Sequence, residues 1–108
     1  MSDHVMVVFT NPVPGREDEY NRWYNEVHLG EVLRTPGMLG ARRYRLVDGA
    51  GSREEPQHRY LAIYEFASED AKATLKQMLG MPMNMSDALD SKHAFMRVWE
   101  ACSDRVEA

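Results

Sequence analysis

Residues 5–10 read VMVVFT, and this stretch decides the architecture. In a strand, alternation sends Val5, Val7 and Phe9 to one face and Met6 and Val8 to the other, so both faces are apolar and both need cover. The run is short, rich in β-branched residues and followed by the turn formers NPVPG at 11–15, which suits a central strand better than a helix. Downstream, Glu17, Asp18 and Glu19 stand where a helix N-terminus favours negative charge, and Tyr20, Trp23, Tyr24 and Val27 recur at helical spacing. Gly30 is the expected stop of this first helix, with Glu31 to Arg34 adding an irregular turn before TPG at 35–37, which favours a type II turn.

A second strand is expected over MLGARRYRLV (38–47), and DGAGSREEPQ (48–57) is a polar loop. HRYLAIYEF (58–66) reads as the third strand, forming a hairpin with the second. Ser68 is placed to cap a second helix, with Glu69 and Asp70 in its first turn, Ala71, Leu75, Met78 and Leu79 along one face and Gly80 past its end. MPMNMSDALDSK (81–92) is an irregular connection. HAFMRVWEAC (93–102) supplies the fourth strand and residues 103–108 form a polar tail. The predicted fold class is α+β: a ferredoxin-like β-α-β-β-α-β unit with a four-stranded antiparallel sheet, in a single domain over 1–108. Helices cover one face of such a sheet. The other face, apolar in every proposed strand, calls for a partner, and a second copy related by a two-fold axis is the simplest one.

The 44% hydrophobic and 28% charged residues match a globular chain and argue against disorder. No apolar run is long enough to span a membrane. The start MSDHVMVVF, with an acid and no basic flank before a short apolar run, argues against a secretory signal, and the lone Cys102 suits a reducing compartment, so a cytoplasmic protein is expected. A net charge of -4 and the absence of nucleic-acid motifs argue against DNA or RNA partners.

From about Val5 to Glu100 the chain resembles the dimeric α+β-barrel superfamily and is most similar to its EthD-like members. The resemblance rests on the apolar first strand, WYNEVHLGEVL (23–33), TPGMLGARRYRL (35–46) and YLAIYEF (60–66). Trp23, Tyr24 and His28 followed by TPG are its most specific part. Relatives with this fold include cofactor-free monooxygenases, muconolactone-type isomerases, polyketide cyclases, haem-degrading enzymes and proteins of unassigned role, so the resemblance implies a fold and a small-molecule pocket but no single reaction. Plant polyketide cyclases of the superfamily carry His-Pro-x-x-His after the second helix. This chain has GMPMNMSDAL (80–89) there, with no histidine for that motif or for an axial haem ligand.

His28 is the leading candidate for chemistry. Placed in the last helical turn at the edge of the aromatic face, it would have its pKa raised by the helix carbonyls and could serve as acid or base, or it could simply cap those carbonyls. Glu31 could orient it or relay a proton, the alternative being a solvated acid paired with Arg34. Tyr20, Trp23 and Tyr24 form a stripe that reads as core with polar tips available to a ligand. Tyr60 and Tyr64 on the third strand and Trp99 on the fourth are further pocket candidates. Arg43, with Arg42 and Arg45, could hold a planar anion or pair across strands with Glu65. Met78, Met81, Met83 and Met85 around Pro82 read as gap fillers or as an adaptable lid over an oily ligand. His4, His28, His58 and His93 show no metal-ligand spacing, and Gly-rich phosphate loops are absent, so no metal and no cofactor are expected. The expected activity is a cofactor-independent isomerase, cyclase or lyase acting through His28 on a hydrophobic or aromatic metabolite. A cofactor-free monooxygenase of phenolic substrates and a non-catalytic carrier are the alternatives.

Overall fold

The computed structural model describes residues 2–108. VMVVFT falls in the central strand β1 (Ser2–Thr10), which pairs antiparallel with β3 (Tyr60–Ser68) on one side and β4 (Phe95–Glu100) on the other. The strand β2 (Met38–Arg45) completes the sheet outside β3, giving the order β2-β3-β1-β4 with every pair antiparallel. This is the predicted ferredoxin-like α+β topology.

The first helix departs from expectation. It runs through Gly30 as continuous helical backbone: α1 (Glu17–Trp23), one π-helical turn (Tyr24–His28) and α2 (Leu29–Leu33). Gly30 is exposed and does not adopt the positive φ of a glycine stop, so it costs the helix only about 1 kcal/mol. TPG is the true terminator. Gly37 has φ +97°, and a Cβ there would lie 2.8 Å from the Ala67 carbonyl oxygen. Gly37→Ala is therefore expected to destabilise the chain by about 1–3 kcal/mol, read as a lower urea midpoint at unchanged m.

The second helical cap is also corrected. Strand pairing continues to Ser68, opposite Ser2, and it is Asp70 that caps α3 (Ala71–Leu79), accepting from the Ala73 N–H at 3.1 Å. Ser68 Oγ supports this turn by accepting from the Asp70 N–H.

Alternation sorts the sheet into two faces. Met6, Tyr60, Ala62, Tyr64 and Phe66 are buried and share one core with Tyr20, Trp23, Tyr24 and Val32 of the helical run. The opposite face carries Val5, Val7, Phe9, Leu61 and Ile63, flanked by the exposed Leu39, Tyr44, Phe95 and Trp99. The expected pairing of Arg43 with Glu65 does not form. Arg43 stands opposite Ala62 and Glu65 opposite Gly40, on different faces of the sheet.

Candidate functional site

The π-helical turn decides where His28 goes. It inserts an extra residue into one turn, so residues after Tyr24 are rotated from the positions an α-helical wheel assigns them. The His28 ring stacks on Trp23 (centroids 4.6 Å apart, planes at 22°) and meets the Tyr24 ring edge-on at 5.1 Å. It lies inside the helical run, not at a carbonyl end. The expected rise in its pKa is accordingly reversed: burial lowers it from its ordinary 6.5, and the charge of Glu31 opposes this only in part. His28 is therefore neutral near pH 7.

The ring borders a cavity of about 350 Å³ between the sheet, the helical run and the segment after α3. That volume is within the range of about 300–1,000 Å³ typical of small-molecule sites. Apart from Thr10, Tyr24, His28 and Tyr64 its lining is apolar, and methionine dominates: Met6, Met78, Met81, Met83, Met85 and Met96 all contribute. Two polar atoms of the lining residues are buried without a well-formed hydrogen bond: His28 Nδ1 has no partner, and the Tyr64 hydroxyl has only the neighbouring Tyr24 phenol. Burial raises the pKa of the Tyr64 phenol strongly and pushes that of Tyr24 up to about 12, so both remain protonated and able to donate. The neutral His28 ring and the protonated Tyr64 phenol thus border a sulfur-rich apolar hollow. A second hollow of similar volume, at one end of the sheet, is lined by Asp3, His4, Glu65, Trp99 and Glu100. Among the described residues, none of its lining carries a buried polar atom without a partner.

Of the residues singled out in the sequence, the cavity gathers His28, Tyr24 and Tyr64 with the four methionines Met78, Met81, Met83 and Met85. Trp23 backs the His28 ring from one layer behind. Tyr20, Tyr60 and Arg43 form a separate cluster: the Arg43 guanidinium lies 4.4–5.2 Å from the centroids of Tyr20, Tyr24 and Tyr60 and donates to Asn21 and Asn25. Tyr20 shares a 2.5 Å hydrogen bond with Thr10, and Tyr60 donates to Glu17. Trp99 lies on the opposite sheet face, 58% exposed and away from His28.

Glu31 is neither solvated nor paired with Arg34. It is buried, and its carboxylate accepts from the backbone N–H and the Nδ2 of Asn84. Asn84 has no signature in the sequence. Met6 and Met96 also escaped sequence reading as pocket residues, although their even positions on β1 and β4 place them on the Tyr64 face.

No protein-family model matches the chain, and no curated protein does. Solved structures do. One is a mutant of MhuD, the haem-degrader of Mycobacterium tuberculosis, with two manganese protoporphyrin IX bound per active site: 17% identity over 96% of this chain and 99% of that one, TM-score 0.65. A second is a mutant of SnoaB, a cofactor-independent oxygenase from Streptomyces nogalater, at 11% identity, 99% and 100% coverage and TM-score 0.62. A third is an EthD family protein from Bacillus halodurans, at 15% identity, 94% and 99% coverage and TM-score 0.52. The chain shares the ferredoxin-like α+β fold of these structures. Among the described residues no helix is long and apolar enough to cross a membrane.

Proposed function

We propose that this chain binds a hydrophobic or aromatic metabolite in the methionine-lined cavity and moves a proton on it with His28, without a cofactor. One observation carries the reading: the neutral His28 ring, its Nδ1 without a partner, and the Tyr64 phenol border the same otherwise apolar cavity. A buried polar atom without a partner is costly, and a ligand hydroxyl admitted as the methionine side re-packs would donate to His28 Nδ1 and accept from the Tyr64 phenol. His28 takes the proton as a neutral base, and Tyr64 donates to the oxygen on which negative charge develops. The reaction class is isomerisation, cyclisation or elimination at a carbon activated by a carbonyl or phenol. Glu31, bound to Asn84, has no place in the proton path.

The test is turnover of a panel of enolisable ketones and phenols, with the pH dependence of kcat/KM. Because burial holds the His28 pKa below 6.5, activity is expected to be flat above pH 6.5 and to fall on acidification through that lower value. Stability follows the same sign. The unfolded chain protonates this ring first, so the contribution of the neutral ring is complete above pH 6.5 and is lost as pH falls. An activity that rises below pH 6 contradicts a neutral base.

The likeness to a cofactor-independent oxygenase favours one second reading, in which the deprotonated ligand is a phenol that reacts directly with oxygen. Oxygen uptake on substrate addition separates the two. Tight ligand binding with neither turnover nor oxygen uptake would instead make the chain a carrier. We further propose that the protein is a cytoplasmic homodimer closed over the apolar sheet face around Val7 and Ile63, since a C2 pair covers that face with no other partner.

A further inference from the structure

Residues 80–94 join α3 to β4, and the two halves of this segment are fastened differently. The second half is tied through backbone bonds: the Val13 N–H donates to the Ala88 carbonyl at 2.7 Å and the Asp90 N–H to the Asn11 carbonyl at 3.0 Å. The first half carries Met81, Met83 and Met85 of the cavity wall. Its main polar attachment to the helical run is one residue, Asn84. The Asn84 N–H donates to the two Glu31 oxygens at 2.9 and 3.1 Å, its Nδ2 donates to Glu31 Oε2 at 2.9 Å, and its carbonyl accepts from Trp23 Nε1 at 2.6 Å. The other attachment, Thr35 Oγ1 to Met81 Sδ at 3.2 Å, uses a weak acceptor.

The exposure of the lining shows where the cavity opens. Met6, Tyr24, Val32, Tyr64 and Met78 are buried, whereas the exposed lining residues Leu79, Met85 and Ala94 all belong to the end of α3 and this segment. The mouth is on the methionine side. Methionine side chains, unbranched and with three rotatable bonds, can re-pack as that side moves. Glu31 in turn depends on Asn84, because a carboxylate only 4% exposed, with no cation within ion-pair distance among the described residues, needs the bonds it accepts.

We infer that Glu31, Asn84 and Trp23 form a latch, and that the methionine wall it holds is the route by which ligand enters and leaves the cavity. Glu31 is a positioning residue: it acts on the ligand through Asn84. The inference rests on the reading that the cavity holds a ligand, but its first test does not. Hydrogen exchange on the free protein should show residues 81–86 exchanging about tenfold faster in Glu31→Gln, as expected from losing one hydrogen bond to a charged group, while α1 and α2 keep their protection. Asn84→Asp, a change at an exposed position that sets a carboxylate against Glu31, should do the same with the fold intact. Stopped-flow binding of 2-naphthol, followed by its own emission, should show association and dissociation both faster by a similar factor, with Kd moving much less. Unchanged exchange at 81–86 in both variants overturns the latch, as does faster exchange with unchanged binding rates. If 2-naphthol does not bind the parent chain, the binding reading fails, and exchange at 81–86 alone upholds or overturns the latch.

Discussion

His28→Gln is expected to lower turnover of any accepted substrate by about 10²–10⁴-fold, the range contributed by a positioned general base. Glutamine approximates the size of the ring and keeps a polar tip at the cavity, so binding should change only a few-fold and circular dichroism should be unaltered. The loss belongs in kcat, since an interaction made only as the proton moves does not hold the ground state. Tyr64→Phe should be the milder variant, because it removes a donor and leaves the base. Turnover within threefold of the parent in His28→Gln would remove His28 from the reaction, whatever the ligand.

The second large effect concerns the open sheet face. Ile63 stands between Val7 and Arg42 in the register, near the middle of that face. Ile63→Asp would set an unpaired carboxylate at the centre of the proposed interface, and the dimer dissociation constant should rise by about 100-fold or more. Light scattering on a dilution series measures this directly. The parent chain should run as a dimer at micromolar concentration and the variant as a folded monomer. A parent chain that is monomeric there contradicts the proposed interface but leaves the cavity untouched, since that lies on the other side of the sheet.

Most of the fold was legible because its signals are local. VMVVFT and YLAIYEF announce strands by composition and alternation, TPG announces a turn through a proline before a glycine that takes positive φ, and three acids announce a helix start. The errors arose where a weak local preference met a stronger tertiary one. Gly30 looks like a helix end, but Val32 and Glu31 beyond it are buried, and that burial carries the helix through an exposed glycine at small cost. Ser68 looks like a cap, but the ladder with β1 claims it as strand and leaves the cap to Asp70. The pairing of Arg43 with Glu65 depended on register. The hairpin alignment sets Glu65 opposite Gly40, three residues from Arg43, and so puts the two residues on opposite faces.

The site was legible only in part, for a related reason. His28, Tyr24, Tyr64 and the methionines Met78, Met81, Met83 and Met85 stood out as polar or adaptable groups beside apolar runs, and the cavity gathers them. The environment of His28 was not legible, because a helical wheel assumes one period and cannot register a π-helical turn. The sign of its pKa shift followed that mistake: a ring at a carbonyl end gains charge, whereas a ring buried between Trp23 and Tyr24 loses it. Glu31 near His28 suggested a relay, but the carboxylate is turned to Asn84, a contact made across 53 residues of sequence that no spacing rule reveals.

The central claim is that an apolar ligand bearing one oxygen sits between His28 and Tyr64. The most direct measurement is the ¹⁵N spectrum of the His28 imidazole during a titration with 2-naphthol, repeated in Tyr64→Phe. Saturable binding that shifts the His28 Nδ1 resonance, and weaker binding in Tyr64→Phe, is the predicted result. Saturable binding that leaves the His28 resonances in place and is equally tight without the Tyr64 hydroxyl would contradict it.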